Sequence, residues 1–120
     1  MSVVFRTCSL YDQTEAQYLA NNPELKKSLA EFIKTKSQNP LASYGKRDYP
    51  FVGAGHLKGF VHAHLTHDLS IVYTVSGRDP HVISLYMIAS HADLGTSKGQ
   101  SNIKKQSQVS KKLAQQQFNK

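Results

Sequence analysis

The chain has 120 residues, with 15 Lys or Arg, eight Asp or Glu and a formal net charge of +7. This length suits one domain and is too short for an enzyme that joins a nucleotide-binding half to a substrate half. No run approaches the roughly 20 apolar residues of a membrane span, and the N-terminal residues lack the pattern of a secretory signal. The single cysteine, Cys8, excludes an internal disulfide and fits a reducing compartment. We therefore expect a cytoplasmic protein, and the charge favours a polyanionic partner such as RNA.

The positive charge is concentrated towards the C-terminus. Residues 96–120 hold six Lys and no acid, whereas residues 1–95 hold nine basic residues against all eight acids. The segment 96–120 is also rich in Ser, Gln and Asn, a composition that buries little apolar surface. We expect a folded domain over 1–95 and a basic C-terminal extension over 96–120. The extension is either mobile or forms a short helix docked through Val109, Leu113 and Ala114, and its charge would strengthen RNA binding.

A strand and two helices are predicted at the start of the chain. Residues 3–5 form a short apolar β run, and residues 12–21 have the apolar spacing of a helix. Asn22 and Pro23 favour a break and a new helix start. Apolar residues then recur at helical spacing, at Leu25, Leu29, Phe32 and Ile33. This spacing predicts an amphipathic helix of about 13 residues, antiparallel to or kinked against the first.

Three strands are predicted to follow a loop over residues 41–57, which is rich in Gly and Pro. The β runs cover 58–65, 69–76 and 81–90, with connections short enough for hairpins. The fold class is therefore α+β: an N-terminal strand and a two-helix pair, then a three-strand antiparallel meander with the helices on one sheet face.

Alternation along the first meander strand assigns its two faces. One face carries Val61, Ala63 and Leu65, and the other carries Phe60, His62 and His64. We expect the apolar set to face the helices, which leaves the histidines on the open face of the sheet.

A candidate catalytic group follows from this topology. If the three strands pair in sequence, His64, Asp68 and His91 fall at one end of the sheet. Imidazoles titrate near neutral pH, so two of them can give and take a proton in one reaction. RNA supplies its own nucleophile, the 2′-OH, so its cleavage needs an acid, a base and cations but no metal or organic cofactor. The nearest cations in sequence are Lys46, Arg47 and Lys58.

A metal site is the alternative explanation of the histidines. His62 and His64 at i and i+2 of a strand would lie on one face as a two-ligand fork. Because neither a nearby cysteine nor paired carboxylates accompany them, we expect no metal, and a His-rich metal-binding protein stays as the alternative. The remaining histidines, His56, His67 and His81, are expected to be ordinary surface residues.

Residues 46–94 resemble a known family. The matching features are the Lys58-Gly59-Phe60 run, Ala63-His64, Asp68, the strand Ile71-Val72-Tyr73 and the late Ser90-His91-Ala92. Together they resemble the YafQ-like mRNA interferases of the RelE/ParE superfamily of type II toxin–antitoxin systems. The resemblance implies a RelE-like fold and a metal-independent endoribonuclease that cleaves mRNA at the ribosome through the 2′-OH.

The resemblance also implies residue roles and partners. It assigns His91 as the general acid, Asp68 as a base or an orienting group, and His64 as a residue that binds or activates the scissile region. It implies RNA binding by a further set of side chains: Lys46, Arg47, Tyr49, Lys58 and Phe60. The implied partners are the ribosome, mRNA and a cognate acidic antitoxin, with the toxin a monomer or part of a toxin–antitoxin hetero-oligomer.

Three positions depart from the family pattern. Tyr49 stands where the family has a histidine, Leu69 where it has a tryptophan, and Gly95 where it has an aromatic residue. Tyrosine is a poor base at neutral pH because its ordinary pKa is near 10. These departures leave open a non-nuclease member of the superfamily that binds the ribosome or gyrase.

Overall fold

The computed structural model describes residues 3–40, 48–50, 60–66, 68–77, 80–94 and 103–118, with the backbone alone at 48–50, 91–92 and 103–106. The strands are β1 (Val3–Thr7), β2 (Asp48–Pro50), β3 (Val61–His64), β4 (Leu69–Ser76) and β5 (His81–Ser90). The helices are α1 (Ser9–Asn21), α2 (Leu25–Gln38), α3 (His91–Leu94) and α4 (Ile103–Ala114). The predicted α+β class is confirmed, with the strand, the helical pair and the meander in the predicted order. None of the described helices has the length and apolar character to cross a membrane.

The described strands form one mixed sheet in the order β1-β5-β4-β3-β2. The β3-β4-β5 meander is antiparallel, as predicted, and β1 lies parallel to β5 at one edge. The other edge is β2, within the range predicted as loop, so that part of the prediction is wrong. Asp48–Pro50 pairs antiparallel with β3 and places Tyr49 opposite His62. Pro50 cannot donate to a ladder, and an edge strand is where a sheet tolerates it.

Part of the core lies between the sheet and α2. Leu25, Leu29 and Phe32 are buried, whereas Ile33 is exposed and is not part of the buried stripe. The Phe32 ring meets the Tyr73 ring of β4 edge-on, at 5.3 Å between centroids. Burying an aromatic ring of this size stabilises a fold by several kcal/mol, so this contact helps to fix α2 on the sheet.

Cross-strand pairs assign the two faces of the sheet. Ala63 lies opposite Ile71 and shares the face of Tyr73, which packs against α2. His62 lies opposite Val72 and therefore belongs to the other face. The alternation predicted for β3 is thus correct. The β4–β5 ladder has one irregularity next to Val72, where the pairing skips Tyr86.

Helix α4 lies within the C-terminal extension and packs on the rest of the fold. Val109 and Leu113 are buried in the core, while Ala114, the third member of the predicted stripe, is exposed. Beyond the helix, the Phe118 ring contacts the Tyr86 ring at 4.7 Å between centroids. The extension therefore contributes apolar side chains to the folded structure.

Candidate functional site

The strand register brings the three candidate catalytic positions to one end of the sheet. His64 is the last residue of β3 and lies opposite Ser70, near the start of β4. Leu69, the first residue of β4, lies opposite Ser90, the last residue of β5. Asp68 directly precedes Leu69 and His91 directly follows Ser90, so both backbone positions flank the same cross-strand pair.

A buried serine orients the ring of His64. The Ser70 hydroxyl lies 3.3 Å from His64 Nδ1, and Ser70 is itself almost completely buried. A hydroxyl can donate to or accept from this nitrogen, so it suits either tautomer of the ring. The His62 ring stands edge-on to His64 at 5.5 Å between centroids. The two imidazoles therefore form one group on the face away from α2, with His64 nearer the end of the sheet. The prediction that this face is open is wrong for its middle, because His62 is only 8% exposed and Val72 opposite it is fully buried.

The turn before β4 holds Asp68 at the surface. The backbone N–H groups of Leu65 and Thr66 both donate to the carbonyl of Leu69, at 2.8 and 3.1 Å. The Leu69 N–H in turn donates to Thr66 Oγ1 at 3.1 Å. These bonds close the turn around Asp68, whose side chain is exposed. A carboxylate in this position is accessible to a ligand at the end of the sheet.

A capping box fixes the backbone that follows β5. The Asp93 N–H donates to Ser90 Oγ at 3.1 Å, and the Ser90 N–H donates to Asp93 Oδ2 at 3.1 Å. This reciprocal pair satisfies N–H groups that the first turn of a helix leaves free. His91 is the first residue of α3, so the capping box determines where its backbone sits. Buried Leu94 anchors the other end of this short helix.

Tyr18 ties the capping box to α1. Its hydroxyl donates a hydrogen bond to Asp93 Oδ2, the same oxygen that accepts from Ser90. Burial, together with the Asp93 carboxylate, raises the pKa of Tyr18, so its hydroxyl stays a donor. A second tie lies one turn earlier on α1, where Thr14 Oγ1 accepts the Ile88 N–H at 2.9 Å. Both bonds hold the end of β5 against α1.

The predicted RNA-binding residues fall partly within the described structure. The Phe60 ring lies edge-on to Tyr86 at 4.9 Å between centroids and is half-buried. Tyr49 has a defined backbone position opposite His62. Lys46, Arg47 and Lys58 lie outside the described residues, as do His56 and His67.

Among the described residues, no third ligand joins His62 and His64 to complete a metal site. Within the part of the chain that the structure describes, no three His, Cys, Asp or Glu side chains are grouped so as to hold a metal ion. His62 and His64 are close, but two imidazoles alone leave a tetrahedral site half-filled.

No family model and no curated protein matches this sequence. Solved structures match its fold. The chain is similar to a YoeB/ParE toxin from Agrobacterium tumefaciens, with 20% identity and a TM-score of 0.56 over 76% of this chain and 99% of that one. It is similar to a chain of the E. coli DinJ-YafQ toxin-antitoxin complex, with 17% identity and a TM-score of 0.61 over 78% and 98%. It is also similar to a metal-bound toxin from Helicobacter pylori, with 25% identity and a TM-score of 0.58 over 78% and 99%.

The fold is therefore that of RelE/ParE-type toxins. The predicted resemblance to the YafQ-like toxins of this superfamily is confirmed at the level of the fold. The alignments cover nearly all of each matched toxin but leave between a fifth and a quarter of this chain unmatched.

The capping box and its link to α1 were not predicted from the sequence. A Ser three residues before an acid is a recognised helix-start pattern, and Ser90 and Asp93 have this spacing. Nothing in the sequence pairs Tyr18 with Asp93, because 75 positions separate them. The sheet and α1 together create that contact.

Proposed function

We propose that this protein is the toxin of a type II toxin–antitoxin system and that it cleaves mRNA at the ribosome. The observation that supports this most directly is the convergence of His64, Asp68 and His91 at one end of the sheet. The fold likeness to toxins adds a second, independent support.

The proposed reaction uses the ribose 2′-OH as the nucleophile. A base takes the 2′-OH proton, the 2′-oxygen attacks the adjacent phosphorus, and the bond from phosphorus to the 5′-oxygen breaks. An acid then gives its proton to the leaving 5′-oxygen. The products are a 2′,3′-cyclic phosphate and a free 5′-OH. Two side-chain proton transfers complete this reaction, so no metal or cofactor is required.

Three residues take the roles in this scheme. His91 is the general acid, since a protonated imidazole donates readily near neutral pH. Asp68 is the base or orients it, and its exposed carboxylate is accessible to RNA. His64 binds or activates the scissile region, with Ser70 orienting its ring. The capping box at Ser90 keeps the backbone of His91 beside the start of β4.

The RNA strand is proposed to bind through cations and rings beside this group. Lys46, Arg47 and Lys58 would contact phosphates, and Tyr49 and Phe60 would contact the nucleotide by hydrogen bonding or stacking. None of these contacts requires a particular base, so they would position the strand rather than select its sequence.

The proposed protein partner is an acidic antitoxin. YafQ is found with its antitoxin DinJ in a solved complex. By analogy, an antitoxin would cover the end of the sheet here and block access to His64 and His91. We propose that the toxin is cytoplasmic, and that it is monomeric when free and hetero-oligomeric when bound.

A matched pair of histidine variants tests the nuclease. His91→Ala should lower cleavage of a translated message by about 10²–10⁴-fold, the usual contribution of an acid or base group. His81→Ala removes an imidazole from the opposite end of β5 and should cleave like the wild type. The measurement is primer extension on mRNA, with co-sedimentation of both variants with ribosomes as the control for binding.

Three results would contradict the proposal. Undiminished cleavage by His91→Ala would show that His91 is not the general acid. Growth arrest with intact mRNA and a DNA-damage response would favour a non-nuclease toxin that acts on gyrase, the reading that the departures at Tyr49 and Leu69 leave open. Stoichiometric metal in the purified protein, with cleavage abolished by a chelator, would favour the metal alternative.

A further inference from the structure

We propose that α4 presents a basic stripe that docks on the phosphate backbone of RNA, outside the proposed catalytic group. This proposal rests on the proposed function, which supplies RNA as the partner. Its support lies in how α4 is held and in where its charges point.

The apolar side of α4 is used to attach it to the domain. Val109 and Leu113, four residues apart, are both buried, and Leu113 is only 1% exposed. Residues at this spacing share one face of a helix. That face is therefore fixed against the domain, and this fixes the orientation of the other faces of α4 as well.

The chain after α4 adds polar and aromatic contacts. Gln116 Oε1 accepts a hydrogen bond at 3.4 Å from the N–H of Leu10, a group in the first turn of α1 that has no partner within its own helix. The Phe118 ring packs against Tyr86. The Arg6 guanidinium lies 4.8 Å from the centroid of the Phe118 ring. The C-terminal segment is thus attached both by α4 and by the residues that follow α4.

Lysines occupy a separate stripe of α4. Lys111 and Lys112 are exposed, and Gln108 and Gln115 beside them are exposed as well. With 3.6 residues per turn, the positions of Lys104 and Lys105 fall on the same stripe, two turns earlier. Residues 96–120 contain no acid, so the charge of this stripe is not neutralised by its own segment.

The chemistry of the stripe favours RNA over a protein partner. Lysine is a compact point charge on a flexible stem, which suits the repeating phosphates of a nucleic acid. Protein interfaces instead centre on aromatic and apolar anchors and are depleted in lysine. The outward stripe of α4 offers lysines and glutamines, whereas the apolar residues Val109 and Leu113 are consumed by docking.

Docking also lowers the cost of binding. A mobile basic tail loses conformational freedom when it binds, whereas a packed helix has already lost it. The lysines of α4 are therefore held on the same folded body as the end of the sheet. A strand bound at the proposed catalytic group would be held at a second place on the same body.

The test compares two double variants with the same change in charge. Lys111→Gln/Lys112→Gln removes two exposed lysines from α4, and Lys26→Gln/Lys27→Gln removes two exposed lysines from α2. Both are placed in a His91→Ala background so that the RNA is not cut during the measurement. The probes are a short labelled single-stranded RNA and vacant bacterial ribosomes, which distinguish mRNA from ribosomal RNA as the source of the phosphates.

Salt dependence is the readout. For single strands, the slope of log K against log salt changes by about 0.7 for each phosphate contact. The α4 variant should therefore show a slope shallower by about 1.4 on at least one probe, and the α2 variant should retain the parental slope. Lys111→Arg/Lys112→Arg should restore binding, because it keeps both charges.

Equal slopes for the α4 and α2 variants on both probes would overturn the proposal. So would a loss of antitoxin binding by the α4 variant with RNA binding unchanged, since that result assigns the stripe to a protein partner. These outcomes are separate from the cleavage test. A protein that never cuts mRNA can still show the slope difference, and an active nuclease can lack it.

Discussion

The two ends of β5 each carry a histidine, and their surroundings differ. At the C-terminal end, His91 follows a serine that forms a reciprocal capping box with Asp93, and Tyr18 donates to the same carboxylate. At the N-terminal end, His81 lies opposite Val3 of the edge strand, and its Nδ1 is buried without a hydrogen-bond partner among the described residues. The contrast is between a bonded network of Ser90, Asp93 and Tyr18 at one end and the buried His81 nitrogen at the other.

The difference shows that a histidine at a strand terminus is not evidence of a site by itself. At the C-terminal end, Ser90 lies opposite the first residue of β4, and the next residue of β4 lies opposite the last residue of β3, so polar groups from three segments converge there. Near the N-terminal end, Gly77, which directly follows β4, adopts a φ of 74°. We expect changes at the two ends to cost similar free energies of folding but to differ in their effect on RNA cleavage.

The largest effect on stability is expected for Asp93→Ala. The change removes the acceptor for the Ser90 N–H and the carboxylate that accepts from the Tyr18 hydroxyl. A lost cap and a lost hydrogen bond to a carboxylate together cost about 2–3 kcal/mol of the free energy of unfolding. Cleavage should also fall at a temperature where the variant stays folded. Denaturant titration and primer extension measure the two effects.

Asp93→Asn is the matched control for that change. Its amide oxygen can still accept a hydrogen bond, so it should keep part of both stability and cleavage. If folded Asp93→Ala cleaves mRNA as well as the wild type does, the capping box does not position His91.

Gly77→Ala should cost about 1–3 kcal/mol at the other end of β5, because a non-glycine residue is strained at a positive φ. An added Cβ would also lie 2.7 Å from the carbonyl oxygen of Pro80. Cleavage by the folded variant should equal that of the wild type. Ser76→Ala, at an exposed neighbouring position, is the control and should change stability little. Impaired cleavage by folded Gly77→Ala would contradict the contrast between the ends.

Tyr18→Phe should have the smallest effect, about 1 kcal/mol at neutral pH for one lost hydrogen bond. It should also change the response to alkali. Burial and the Asp93 carboxylate raise the pKa of Tyr18 above the ordinary value of 10.0. The folded protein therefore holds this proton more tightly than the unfolded chain, and stability is lost as the pH rises above 10.0.

The measurement for Tyr18 is the free energy of unfolding across the alkaline range. The wild type should lose stability more steeply than Tyr18→Phe once the pH exceeds the ordinary tyrosine pKa. Some steepness should persist in the variant, because burial also raises the pKa of Tyr11. Identical alkaline slopes for the two proteins would contradict the link between Tyr18 and Asp93.

Much of the fold could be predicted because apolar periodicity is local. The spacing of Leu25, Leu29 and Phe32 predicted α2, and the β runs predicted β4 and β5 with their bounds as observed. The start of α1 was less visible, since Cys8 makes no side-chain cap and the helix begins at Ser9 rather than at residue 12. The strand β2 was missed because Pro50 is a poor strand former, and only its pairing with β3 makes it one.

The candidate site could also be predicted only in part. The meeting of His64, Asp68 and His91 follows from strand order alone, so it could be predicted without side-chain detail. The contacts that orient them could not, apart from the Ser90 and Asp93 spacing. Ser70 reaches His64 across a ladder, and Tyr18 reaches Asp93 from a distant helix, so both depend on the packed structure.

The parallel pairing of β1 with β5 has a consequence for synthesis. Val3 pairs with His81 and Thr7 with Leu85, so the first strand stays unpaired until the last strand of the sheet has been made. Contacts between segments so far apart in sequence form slowly, because a long loop must close first. As the nascent chain emerges, the helical pair can form early, while the sheet must wait. The end of the sheet that carries His64 and His91 therefore assembles only when translation of this domain is nearly finished.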